Sequence, residues 1–109
     1  MEKSDSFEIV FITTDSFDNA RNIARILVSE KIAACCSIIH NILSVYEWQQ
    51  TVNESMEYML LVKTSTSRLD KLEKRVLEIH PYETPEIISA KMSQLNTDYL
   101  DWMRKVLTD

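Results

Sequence analysis

Ser37-Ile38-Ile39-His40-Asn41-Ile42-Leu43-Ser44-Val45-Tyr46-Glu47-Trp48 decides the fold, because a second apolar run, Tyr58-Met59-Leu60-Leu61-Val62, follows it with no helical pattern between. The first stretch, rich in Ile, Val and aromatic residues, reads as a long strand, and the second as a short continuous one. The polar segment Gln49–Ser55 is read as the turn joining them, which makes the pair antiparallel. His40-Asn41 interrupts the first strand and predicts a bend or bulge there.

Toward the N-terminus, Ile9-Val10-Phe11-Ile12 is a buried strand running into Thr13-Thr14. Asp15 or Ser16 then offers an N-cap, and Asp18 favours the helix dipole. Ala20, Ile23, Ala24 and Leu27 fall at i, i+3, i+4 and i+7, so an amphipathic helix is expected over Phe17–Lys31. Toward the C-terminus, Ser65 to Ser67 carry a cap signal, and Leu69, Leu72, Val76 and Ile79 mark a second helix. Pro81 disfavours helical geometry at His80 and should end it. Glu86–Met92 reads as a last strand with Ile88, Ala90 and Met92 on one face. A loop at Gln94–Asn96 leads to a closing helix defined by Tyr99, Trp102, Met103 and Val106.

The resulting order is β-α-β-β-α-β plus one helix: an α+β chain of the split βαβ, or ferredoxin-like, kind, with two helices on one sheet face. No linker or low-complexity segment divides it, so residues 1–109 read as one domain. The other sheet face would be bare, which predicts self-association.

Composition narrows the function. Glycine is absent, which excludes P-loops, dinucleotide-binding fingerprints and nucleophile elbows. Twelve basic residues against 17 acidic ones give a net charge of −5, so no broad nucleic-acid footprint is expected. The β-α-β-β-α-β order is shared with RNA-recognition sheets, but their basic, aromatic, glycine-containing signature is missing. No apolar run approaches a membrane span, and Met1–Ser6 has no signal-peptide core, so a cytoplasmic location is expected. Cys35 and Cys36 are adjacent, a poor disulfide framework, and on a strand their sulfurs point to opposite faces.

His80-Pro81-Tyr82-Glu83-Thr84-Pro85-Glu86 packs an imidazole, a phenol and two carboxylates between two prolines. Such a loop suits ligand binding, and equally serves as a plain connector. Imidazole, thiol and carboxylate make a plausible copper or zinc shell. The spacing, however, is no metal motif, and a small buried hydrophobe is the stronger reading of either cysteine. Tyr46, Trp48 and Tyr58 line a pocket or fill a sheet face, with packing the stronger reading. Lys63 is either a surface cap or a pocket cation. A Cys–His nucleophile pair is a weak signal, and no enzyme is expected.

Several separate motifs, in order, carry a resemblance. They are Thr13-Thr14, Lys31-Ile32-Ala33-Ala34-Cys35, Ser44-Val45-Tyr46-Glu47-Trp48, Leu60-Leu61-Val62-Lys63-Thr64, His80-Pro81-Tyr82-Glu83 with Pro85-Glu86-Ile87, and Tyr99-Leu100-Asp101-Trp102. Over residues 7–107 the chain resembles the CutA family of divalent-ion-tolerance proteins. The resemblance implies a tight homotrimer similar in architecture to the PII signalling proteins, with a role in copper and divalent-metal tolerance. It implies metal ligands at Cys35 and His80, with Glu83 and Glu86 in the same family segment. Copper or another divalent ion is then the expected metal, with no organic cofactor, no nucleic acid and no membrane partner. The alternative is a PII-like sensor that binds a small ligand in inter-subunit clefts around Tyr46, Trp48, Lys63 and Tyr82 and signals to a partner protein. The chain departs from the family at His40-Asn41, where Pro-Gly is frequent, and at Gln50-Thr51-Val52, where a glycine-containing hairpin is usual. Asn41 tolerates the left-handed backbone a glycine would supply.

Overall fold

The computed structural model describes residues 1–108. Its elements are β1 (Glu2–Lys3), β2 (Phe7–Thr14), α1 (Phe17–Ser29), β3 (Cys35–Trp48), β4 (Thr51–Ser65), a 3₁₀ turn (Thr66–Arg68), α2 (Leu69–Ile79), β5 (Ile87–Lys91), β6 (Gln94–Leu95) and α3 (Thr97–Leu107). The main sheet has the order β3-β4-β2-β5, and every pairing in it is antiparallel. This is the expected split βαβ arrangement, with β4 inserted between β2 and β3.

The helices begin and end for local reasons. Ser16 caps α1 by accepting a hydrogen bond from the Asn19 N–H at 3.1 Å. Ala20, Ile23, Ala24 and Leu27 are buried, as their spacing predicts. The helix stops at Ser29, two residues short of Lys31, because Lys31 turns left-handed with φ 58°. The N–H groups of Ile32 and Ala33 then both reach back to the Leu27 carbonyl, at 2.9 and 3.0 Å. α2 ends at His80, whose extended backbone (φ −81°, ψ 138°) is the geometry required before Pro81.

Both helices cover one sheet face. Val10, Ile12, Leu60 and Val62 meet Ile23, Leu27, Leu72 and Val76 there, each buried side chain contributing about 1.5–3 kcal/mol. Cys36 and Ile38 pack against this core, while Cys35 lies on the opposite face. That face is not wholly bare. α3 buries Leu100, Met103 and Leu107 against Phe7, Ala34 and Leu95, covering its start. The buried stripe of α3 therefore differs from the one the sequence suggests, since Tyr99 and Trp102 remain 39% and 42% exposed.

Three further boundaries differ from expectation. Residues 51–57 are strand rather than turn, and Gln49-Gln50 alone reverse the chain between Trp48 and its partner Thr51. Both have positive φ, 51° and 65°, the signature of a tight hairpin turn, made here without glycine. The polar N-terminal lead forms β1, which pairs with β6 where a loop was expected. The last strand is also shorter at both ends than Glu86–Met92.

The bulge at His40-Asn41 is present: Ile39 pairs with Met59 and Ile42 with Glu57, so β3 carries one extra residue. Asn41 takes it up with φ 60°. Beyond the bulge β3 and β4 pair only with each other, forming an arm that projects from the sheet. The molecule measures 45 × 25 × 22 Å, and its radius of gyration of 14.6 Å exceeds the about 13 Å of a compact chain this long. Leu43, Val45, Val52 and Met56 share one side of the arm and are each more than half exposed. Among the described residues no helix is long and apolar enough to cross a membrane.

Candidate functional site

A cleft of ≈ 680 Å³ opens where the arm leaves the sheet and the loop after α2 crosses its root. Four segments line it: Thr13 from β2, Ser44 to Tyr46 and Trp48 from β3, Glu57 from β4, and Tyr82 to Glu86 from the loop. The bulge is what brings the β3 residues here. Before it, the odd-numbered residues of β3 share a face with the odd-numbered residues of β4 (Cys35 with Lys63). After it, the even-numbered ones do (Ser44 with Ser55).

Glu57 is the best-buried charged group in the cleft, at 6% exposure. The Tyr82 hydroxyl donates to its Oε2 at 2.6 Å. Its Oε1 accepts no hydrogen bond from the described residues, and Glu57 has no ion-pair partner among them. Burial, then the hydrogen bond and charge of Glu57, push the Tyr82 phenol well above its ordinary value. Glu86 is exposed at its rim, but its carboxyl is also raised, by burial first and by Glu57 second. Among the described residues no Lys, Arg or His lines the cleft.

His80 stands behind this wall. Its Nδ1 accepts from the Tyr82 N–H at 3.0 Å, so the proton sits on Nε2, which donates to the Thr13 carbonyl at 2.8 Å. The imidazole packs edge-on to the Tyr82 ring, 4.8 Å between centroids. The ring thus fixes the loop, and both nitrogens are occupied in doing so.

Cys35 lies elsewhere. It pairs with Lys63, whose Nζ is 4.0 Å from its sulfur and 2.7 Å from Ser37 Oγ. Tyr99 of α3 reaches the same thiol, and its phenol is raised by burial and then by Cys35. Lys63 is six residues along β4 from Glu57, roughly 20 Å at the rise of a strand. Within one chain the predicted site residues separate accordingly. Cys35, His80, Glu83 and Glu86 do not form one metal site within a chain, because Cys35 and the loop occupy opposite ends of the sheet. Lys63 does not line the cleft with Tyr46, Trp48 and Tyr82, because its register places it beside Cys35. Among the described residues no three His, Cys, Asp or Glu side chains gather closely enough to hold a metal ion.

Glu57, Ser44 and Thr13 are the lining residues that sequence reasoning missed. A signal for Glu57 exists: it is the lone carboxylate in phase with Met59 and Leu61 on the face away from α1 and α2.

An antiparallel ferredoxin-like sheet with an acidic, aromatic cleft at the root of a projecting hairpin defines a small α+β protein of the ferredoxin-like class. The family model described as "CutA1 divalent ion tolerance protein" matches residues 8–106, and the chain belongs to that family, whose role is metal tolerance. It is 46% identical over 98 residues to the divalent-cation tolerance protein CutA of Thermus thermophilus, covering 90% of this chain and 95% of that one. It is 37% identical over 101 residues to human CutA, spanning 93% of this chain but only 56% of the human protein. The solved Thermus thermophilus structure matches with a TM-score of 0.88 at 45% identity, over 91% of this chain and 96% of that one. CutA from Synechococcus elongatus matches with a TM-score of 0.93 at 28% identity, over 97% and 94%.

Proposed function

We propose that this protein acts in divalent-metal tolerance as a homotrimer whose acidic cleft binds a positively charged ligand. The observation that carries this reading is the Glu57 carboxylate, 6% exposed, with one oxygen unpartnered among the described residues in a cleft lacking basic side chains. Burying a carboxylate without a counter-charge costs several kcal/mol, and a bound cation offsets that cost. Two free cysteines suit a reducing compartment, and we assign the protein to the cytoplasm.

Self-association is supported by two apolar surfaces. One is the open sheet face, with Ile9, Phe11, Met59 and Leu61 half-buried and Ile88 exposed. The other is the exposed side of the arm, formed by Leu43, Val45, Val52 and Met56. The two lie on opposite faces of the sheet, and each leaves apolar side chains without a partner in the single chain. The cleft lies on the open sheet face, so neighbouring subunits would help to wall it.

Copper or another divalent ion held by Cys35 and His80 has weaker support. The His80 nitrogens are both hydrogen-bonded, and the nearest cationic group to Cys35 is an ammonium. The small-ligand sensor reading gains from Tyr46, Trp48 and Tyr82 lining the cleft.

The test is fluorescence titration in a Trp102→Phe background, where Trp48 is the sole indole, with copper, zinc and organic cations as probes. A saturable change that Glu57→Gln abolishes and Cys35→Ala leaves intact is expected. No saturable change with any cation overturns the cleft reading. Light scattering should give three times the 12.7 kDa chain mass, and a stable monomer at micromolar concentration overturns the trimer.

A further inference from the structure

We propose that the cation taken by the cleft is an organic ammonium that keeps its N–H groups, such as a primary alkylammonium, rather than a bare metal ion. This rests on the cation-binding reading of the cleft and names the class of ligand.

Size is the first reason. A divalent ion is enclosed by donors at about 2.0–2.6 Å, whereas the cleft's ≈ 680 Å³ falls within the roughly 300–1,000 Å³ of small-molecule sites. The donor set is the second. Glu57 and Glu86 feel each other's charge, yet no third His, Cys, Asp or Glu closes with them into a metal-holding group among the described residues. The walls are the third. The phenol oxygens of Tyr46 and Tyr82 are already hydrogen-bonded, to Ser55 and Glu57, and the Trp48 indole offers no metal ligand. Their rings attract an organic cation through the ring quadrupole.

The hydrogen-bond inventory narrows the class further. Glu57 Oε2 already accepts from Tyr82, while Oε1 has no donor among the described residues. That oxygen is not fully buried, so an ammonium bearing N–H groups can donate to it where a quaternary ammonium cannot. Glu86 keeps its proton more readily than a surface carboxyl does, because burial and Glu57 both oppose its charge. Glu83 also lines the cleft but is exposed, so Glu57 is its one buried charge among the described residues. An alkyl chain can lie along Val45 and Pro85, which complete the apolar part of the lining.

The experiment uses the full chain in its native oligomeric state, with butylammonium, butyltrimethylammonium, neutral butyramide and zinc chloride titrated separately by NMR. Shifts of the Ser44, Glu57 and Tyr82 backbone amides report occupancy. Butylammonium should saturate, weaken at least tenfold in Glu57→Gln and several-fold in Trp48→Leu, and bind more tightly than the other three. Glu57→Gln retains an acceptor for Tyr82, and Trp48 is 45% exposed, so both variants should fold. Unchanged far-ultraviolet circular dichroism checks this. Zinc binding that depends on Glu57 while butylammonium fails overturns the inference and leaves the cation-binding cleft standing. Failure of every cation overturns both. Equal binding of butyramide, or butylammonium binding indifferent to Glu57→Gln, also overturns it.

Discussion

The Tyr82 hydroxyl donates a 2.6 Å hydrogen bond to the Glu57 carboxylate. This one bond fastens the loop after α2 to the root of the β3–β4 arm, two segments 25 residues apart in sequence. It is also the only donor that the described residues offer to a buried anion. Tyr82→Phe should therefore cost about 1–3 kcal/mol, the desolvation penalty of a buried acceptor left unmade. Glu57→Gln should cost less, since the amide oxygen still accepts. The double variant should cost less than the sum of the two, and denaturant melts of all four proteins measure that coupling.

Cys36 points into the core, and burial, followed by the charge of Cys35, pushes its thiol from 9.0 to about 12, against a smaller opposing pull from Lys63. The folded state thus holds this proton more tightly than the unfolded state. The stabilisation is fully present below pH 9 and is lost as pH rises toward 12. Wild type should lose up to roughly 2–4 kcal/mol more than Cys36→Ala across that window. Melts at matched pH steps give the difference, and parallel curves for the two proteins would refute it.

The hairpin turn offers a stabilising substitution. Gln50 holds φ 65° with a side chain attached, a geometry that costs an L-residue about 1–2 kcal/mol. Gln50→Gly should stabilise by about 1 kcal/mol, raising Tm by about 4–8 °C at fixed protein concentration. A lowered Tm would show that the turn is not strained.

Leu43 and Met56 face each other on the side of the arm away from the cleft, each 57% exposed in the single chain. If that side is buried between subunits, Leu43→Glu should shift the mass measured by light scattering from trimer to monomer. Secondary structure should survive, because no core side chain is touched. A variant that stays trimeric would move the interface off the arm.

Much of the architecture was legible because it rests on periodicity. Val10, Ile12, Leu60 and Val62 alternate, and Ile23, Leu27, Leu72 and Val76 recur at helical spacing, so each announces its buried face. The extension of β4 through residues 51–57 was hidden for a physical reason. A two-stranded arm with solvent on both sides needs no apolar alternation, so Asn53, Glu54 and Ser55 look like a turn. α3 misled through its aromatics: Tyr99 and Trp102 are more conspicuous than Leu100 and Leu107, which do the packing. For the cleft, the loop residues Tyr82, Glu83 and Glu86 stood out as a dense polar cluster. Lys63 and Cys35 could not be separated from them, because strand register is invisible without pairing. Glu57 was concealed by the same gap, since its depth depends on Tyr82, 25 residues away.

The extra residue at His40-Asn41 acts on β3 as a frameshift acts on a message. Upstream and downstream are both correctly spelled strands, read in opposite phase. What the cleft requires at this position is thus a number before it is a chemistry. Side chains at 40 and 41 can change widely so long as one of them accepts the left-handed backbone. Removing a single residue would make the ladder regular, with Ser44 still opposite Ser55 and Tyr46 opposite Asn53, so the wall would keep its face and lose only the bulge. Removing both would instead bring Leu43, Val45 and Glu47 into phase with Glu57 and send Ser44, Tyr46 and Trp48 to the far side of the arm.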